Sequence, residues 1–121
     1  MNILINILIG FIAFFHYYIL WFEMFAWETK GPKIFTNFPK DLFPKTIGLA
    51  ANLGVYNGFL ATGLTWTFFI ENSYWSQNIA LFFLSCVSIA GIYGAKTSKK
   101  IFFTQALPAL ICLGLILFTR L

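Results

Sequence analysis

The chain has 121 residues, of which 60% are hydrophobic, 21% aromatic and only 10% charged. A soluble domain carries about 25% charged and about 45–50% apolar residues. The composition therefore excludes a disordered chain, a collagen-like chain and a disulfide-rich scaffold. It also argues against a nucleic-acid-binding domain, although the net charge is +4. An integral membrane protein is the class that fits.

Four long apolar stretches predict four membrane-spanning helices. A spanning helix needs about 20 apolar residues, and the stretches cover about 3–27, 47–70, 78–95 and 101–119. The connection over about 28–46 mixes phenylalanines and lysines with three prolines. Such a segment lies either in the lipid headgroup region or, as a plain loop, against the helices. We predict one membrane domain over 1–121, an all-α antiparallel bundle of four transmembrane helices.

The lysines predict the orientation of this bundle. The connections after the first and third stretches carry Lys30, Lys33, Lys40, Lys45, Lys96, Lys99 and Lys100, whereas the opposite side carries only Arg120. Short loops rich in Lys and Arg stay in the cytoplasm. We therefore expect the cell's inner (cytoplasmic) membrane, with both termini outside and both basic loops inside. The positive charge would then attract anionic lipid, and it needs no nucleic-acid partner.

Polar side chains within the predicted spans fall into two layers. Each is costly in hydrocarbon unless it has a partner. Counted at 1.5 Å per residue, one layer near the cytoplasmic boundary holds Glu23, Asn52, Tyr93 and Gln105, and one near the middle holds His16, Tyr56 and Asn57. Trp27 lies one turn beyond Glu23 on the same face. These eight residues are the candidates for a ligand pocket that faces the cytoplasm.

Five of the candidates also have a structural interpretation. His16, Asn52 and Asn57 could simply join helices by hydrogen bonds. Glu23 could reach the headgroups, and Gln105 could bind backbone carbonyls freed by Pro108, which should kink the last helix. Only the convergence of the polar residues on two layers favours a pocket.

Small residues predict where the helices touch. Gly54, Gly58 and Thr62 are spaced four apart, a pattern that lets membrane helices approach closely. Gly91 and Gly94 could serve the same purpose on the third helix. Cys86 and Cys112 lie in apolar runs, and the single histidine has no cysteine nearby, so we predict neither a metal site nor a cofactor.

Four motifs together resemble a known family. In chain order they are His16-x6-Glu23-x3-Trp27, Asn52-Leu-Gly-Val-Tyr-Asn-Gly-Phe-Leu-Ala-Thr-Gly63, Ala90-Gly-Ile-Tyr-Gly-Ala-Lys-Thr97 and Gln105-Ala-Leu-Pro-Ala109. They are similar to those of the DUF1304 family of small bacterial four-span membrane proteins. Leu53 departs from the Asn-Gln-Gly pattern expected there. The resemblance implies a four-helix membrane fold and supports the polar residues as candidates for a functional site. It implies no particular reaction.

Three functions remain open from the sequence. The first is binding or transport of a small molecule through the cytoplasm-facing pocket. The second is an enzyme that uses His16 and Glu23 for acid–base chemistry on a lipid or hydrophobic metabolite. The third is a structural or accessory subunit, in which the polar layers only fix the helix register. The expected partners are the lipid bilayer, a small-molecule ligand and further copies of the chain.

Overall fold

A computed structural model describes residues 2–121, and all the regular structure in this range is helical. The first four helices are α1 (Ile3–Phe25), α2 (Trp27–Ile34), α3 (Leu42–Lys45) and α4 (Ile47–Trp66), and α4 ends in a 3₁₀ turn (Thr67–Phe69). The remaining helices are α5 (Ser73–Gly94), α6 (Lys99–Ile101) and α7 (Leu107–Thr119), with a π-helical segment (Phe102–Ala106) joining α6 to α7.

Three stretches are long and apolar enough to cross a membrane, namely Ile3–Phe25, Ser73–Gly94 and Lys99–Thr119. Helix α4, the second predicted span, is not among them although it has 20 residues. Its two asparagines, a tyrosine and several glycines lower its hydropathy. Helix length and composition thus indicate a membrane protein with three candidate spanning helices, and α4 is not one of them.

The connection between α1 and α4 contains more helix than its three prolines predict. Helix α2 starts directly after a break at Ala26 and includes Pro32. Aromatic packing holds this segment in place: the Trp27 and Phe43 rings have centroids 5.0 Å apart, and Phe43 is only 1% exposed. The indole of Trp27 donates to Thr46 Oγ1 at 2.9 Å, which fixes the start of α4.

An apolar core fills the end of the molecule where α1 begins and α7 ends. Ile5 and Ile9 of α1 pack there with Leu64, Leu84 and Cys112 from the other long helices, all of them fully buried. The sulfur of Cys112 lies 4.0 Å from the Ile5 carbonyl oxygen. This end of the molecule is therefore closed.

Arg120 ties the last helix to the start of α5 at this closed end. Its Nε donates to Gln77 Oε1 at 2.9 Å, and its Nη2 donates to Asn78 Oδ1 at 2.7 Å. Helix α5 itself starts earlier than the sequence predicts, because the Asn72 side chain accepts from the Trp75 amide and caps the helix.

Small residues on α4 lie against α1. A Cβ atom on Gly54 would come 3.1 Å from the Leu20 carbonyl oxygen, and one on Gly58 would collide with the Leu20 side chain. One turn further along, the Tyr17 hydroxyl is 2.9 Å from Thr62 Oγ1. The contact between α1 and α4 is the most extensive in the molecule.

Gly91 and Gly94 of α5 make a second close contact, with the start of the last helix. A Cβ on Gly94 would come 2.6 Å from Ile101 Cγ2. A Cβ on Gly91 would come 2.5 Å from the amide nitrogen and 2.9 Å from the Cα of Ala106, the last residue of the π-helical segment.

We expect Gly91→Ala to lower the free energy of unfolding by about 1–3 kcal/mol. The new methyl group would overlap backbone atoms of Ala106, which cannot rotate away as a side chain can. Gly114→Ala is the control, since nothing lies within 4 Å of a Cβ there. Thermal unfolding of both variants in a nonionic detergent measures the effect. Equal stability of the two variants would contradict this packing.

Candidate functional site

A cavity of about 500 Å³ lies beyond the apolar core, toward the end where α1 stops and the lysines cluster. Helix α1 contributes Phe15, Tyr18, Ile19, Phe22 and Glu23 to its wall. These residues recur at intervals of three and four, so they form one stripe along the helix. We call this space the Glu23 cavity.

The remaining walls of the Glu23 cavity come from several elements. Helix α4 supplies Leu53 and Asn57, α5 supplies a small surface at Ala90 and Gly94, and the π-helical segment supplies Thr104 and Gln105. The rest of the lining consists of Ile34, Phe35, Ser98, Lys100 and Ile101. The wall is predominantly apolar, with a few polar groups that converge from different helices.

A hydrogen bond between Glu23 and Asn57 joins α1 to α4 inside the cavity. Asn57 Nδ2 donates to Glu23 Oε1 at 2.7 Å and also approaches the Leu53 carbonyl oxygen at 3.2 Å, which orients the amide. A hydrogen bond to a charged group is stronger than a neutral one. Within residues 2–121 the Glu23 carboxylate has no cation within 4.0 Å, and the single ion pair joins Asp41 to Lys45 on the surface.

A second cavity of about 300 Å³ adjoins the first. The two share four lining residues, Ile34, Phe35, Ser98 and Lys100. The second cavity adds the polar residues Thr36, Asn37 and Thr97. Its position between the 34–39 loop and the 97–100 turn makes it a polar approach to the Glu23 cavity from the lysine-rich end.

Of the eight predicted pocket residues, Glu23, Asn57 and Gln105 line the Glu23 cavity. His16 does not. Its side chain is 1% exposed, and its Nδ1 donates to the Ile12 carbonyl oxygen of its own helix at 2.8 Å. The His16 ring packs edge-on against Phe15, which does line the cavity. His16 therefore lies behind the cavity wall. Residues 2–121 contain no group of three or more His, Cys, Asp or Glu side chains that could hold a metal.

Asn52, Tyr56 and Tyr93 lie on outer surfaces. The Tyr56 and Tyr93 side chains are 57% and 68% exposed, and Asn52 is exposed as well. Asn52 and Tyr56 are each two positions from Gly54, which faces α1, and two positions on an α-helix turn a side chain by about 200°. Trp27 belongs to the aromatic cluster at the α1–α4 connection, where its ring packs against Phe22 and Phe35 of the cavity wall.

Sequence reasoning passed over several residues of the cavity wall. Ile19 and Phe15 follow from counting back from Glu23 in steps of four along α1. The sequence indicates Lys100 only as a signal of membrane orientation, whereas the structure places this residue at the border of both cavities. Thr104 faces the cavity because the π-helical segment adds one residue to the turn: the Leu107 amide donates to the carbonyl of Phe102, five residues earlier.

Comparison with known proteins identifies the family. The model of DUF1304, described as a protein of unknown function, matches residues 10–117. The chain belongs to the DUF1304 family. It is also 31% identical over 116 residues to the uncharacterized protein YpaA of Lactococcus lactis subsp. lactis (strain IL1403), covering 93% of this chain and 96% of that protein. No solved structure matches the chain significantly. The resemblance seen in the sequence motifs is thus confirmed.

We expect the Glu23–Asn57 hydrogen bond to contribute measurably to stability. In a double-mutant cycle, Glu23→Ala and Asn57→Ala should show a coupling energy of about 0.5–2 kcal/mol. The matched cycle pairs Asn57→Ala with Glu28→Ala, because Glu28 is exposed and outside the cavity. Unfolding in nonionic detergent provides the free energies. Coupling energies near zero in both cycles would mean that the Glu23–Asn57 contact is absent.

Proposed function

We propose that this DUF1304 protein binds a small molecule in the Glu23 cavity and that the ligand enters from the cytoplasmic side. The observation that carries the proposal is the cavity itself. Ligand pockets measure about 300–1,000 Å³ and combine apolar walls with a few placed polar groups. The Glu23 cavity has about 500 Å³ and presents one carboxylate and two side-chain amides from three different helices.

The proposal places the four long helices across the inner membrane as an antiparallel bundle that forms one domain. Helix α4 contains no charged residue and packs along the whole cavity-bearing part of α1. If α4 crosses the membrane, the seven lysines of the two basic connections lie on one side and Arg120 lies on the other. This distribution supports cytoplasmic basic connections and external termini.

Reporter fusions test this orientation. We expect alkaline phosphatase fused after Leu121 to be active, because it would lie outside, and phosphatase fused after Lys96 to be inactive. Green fluorescent protein at the same two positions should give the reciprocal result. An active phosphatase at Lys96 would overturn the orientation, and equal signals at both positions would overturn the four-span arrangement.

Binding is better supported than His/Glu catalysis. An acid–base pair must reach the same substrate, but His16 is buried behind Phe15 and bonded to its own backbone, whereas Glu23 faces the cavity. A carrier would also have to open the closed end, where Ile5, Leu84 and Cys112 are fully buried. The geometry favours a site that is open on one side.

Filling the cavity tests the proposed function. We expect Leu53→Trp to abolish retention of any small molecule that co-purifies with the wild-type protein, because the indole would occupy part of the space. Leu49→Trp is the matched control, one turn earlier on α4 and outside the cavity wall. Native mass spectrometry of the proteins released from nonionic detergent provides the readout. A wild-type protein without any bound small molecule, or equal retention by both variants, would contradict the proposal.

A further inference from the structure

We propose that the ligand of the Glu23 cavity is a small zwitterion with an apolar group, held with its cationic end at Glu23 and its anionic end near Lys100. This inference rests on the proposed function and names the chemical class that the site would take. It starts from two opposite charges, one acidic and one basic, that border the same largely apolar space.

Glu23 supplies the acceptor for a cation. Its side chain is partly buried, and its Oε1 accepts from Asn57 at 2.7 Å. Throughout residues 2–121 no hydrogen bond to Glu23 Oε2 is formed, and no cation lies within 4.0 Å of the carboxylate. A carboxylate in an apolar wall is costly unless a counter-charge or donor completes it. An ammonium group of the ligand would do both.

Lys100 supplies the donor for an anion. It borders both cavities, together with Ser98, and it is exposed. The neighbouring Thr104 hydroxyl donates to the Lys100 carbonyl oxygen at 2.8 Å, which anchors the backbone of this turn to the π-helical segment. In the described part of the chain the Lys100 ammonium has no acidic partner within 4.0 Å.

A ligand with a single charge would satisfy only one of these two groups. A cation would pair only with the partly buried Glu23, and an anion would pair only with the exposed Lys100. A zwitterion completes both and adds no net charge to the membrane interior. The rest of the cavity is lined mainly by aromatic and aliphatic side chains, among them Phe15, Tyr18 and Leu53, so the ligand should also carry an apolar group.

Three compounds with the same phenyl group test the inference: L-phenylalanine as the zwitterion, 2-phenylethylamine as the cation and 3-phenylpropanoate as the anion. Isothermal titration with the protein in a nonionic maltoside detergent measures each affinity. We expect L-phenylalanine to bind at least about tenfold more tightly than either analogue. Glu23→Gln should remove its advantage over the anion, and Lys100→Gln should remove its advantage over the cation.

The controls are Glu28→Gln and Lys99→Gln, which neutralise neighbouring charges outside the cavity wall and should keep both preferences. If all three compounds bind, are lost in Leu53→Trp and show no preference for the zwitterion, the inference is overturned while the proposed function stands. Failure of all three to bind at about 10 mM also overturns the inference. The proposed function falls with it only if the wild-type protein carries no small molecule in the mass spectrometer.

Discussion

The close approach of α1 and α4 is the constraint on which the rest of the structure depends. It requires residues without a side chain at Gly54 and Gly58, because the backbone and side chain of Leu20 occupy the space that a Cβ would need. This approach brings Glu23 within hydrogen-bond distance of Asn57. The hydrogen bond and the close packing at the glycines join the same two helices, so each supports the other.

The cavity is lined by two closely packed pairs of elements: α1 packs on α4 at Gly54, and α5 packs on the π-helical segment at Gly91. Around Ile5 and Cys112 the long helices share one apolar core. Toward the lysine-rich end, α2 and the aromatic cluster around Trp27 close the side of the space, and the π-helical segment forms the opposite wall. A π-helical turn changes the register of the residues that precede Leu107, and Thr104 and Gln105 consequently border the cavity. Such turns are frequently found at functional sites.

Much of the fold was predictable because it depends on local properties. Apolar stretches indicated the long helices, and the spacing of Gly54 and Gly58 indicated a contact face. The candidate site was predicted only in part. Counting residues placed Glu23 near the cytoplasmic boundary and Asn57 near the middle, but the structure joins them by a hydrogen bond of 2.7 Å. The relative height of two helices is set by their packing, which counting along each helix does not give. Rotation about the helix axis does not follow from counting: Tyr56 shares a height with Asn57 but lies on the outer surface.

By itself, the sequence determined the class of protein, the family and the helical content, since these follow from composition, periodicity and motifs. It also determined which chemical groups are present in the spans. Only the tertiary structure decided which of them meet. The His16 ring donates a hydrogen bond to the backbone of its own helix and does not face the cavity. Lys100 is remote from Glu23 in the chain, but both residues line the same cavity. The physical reason is that packing between helices, a non-local interaction, sets the direction in which each side chain points.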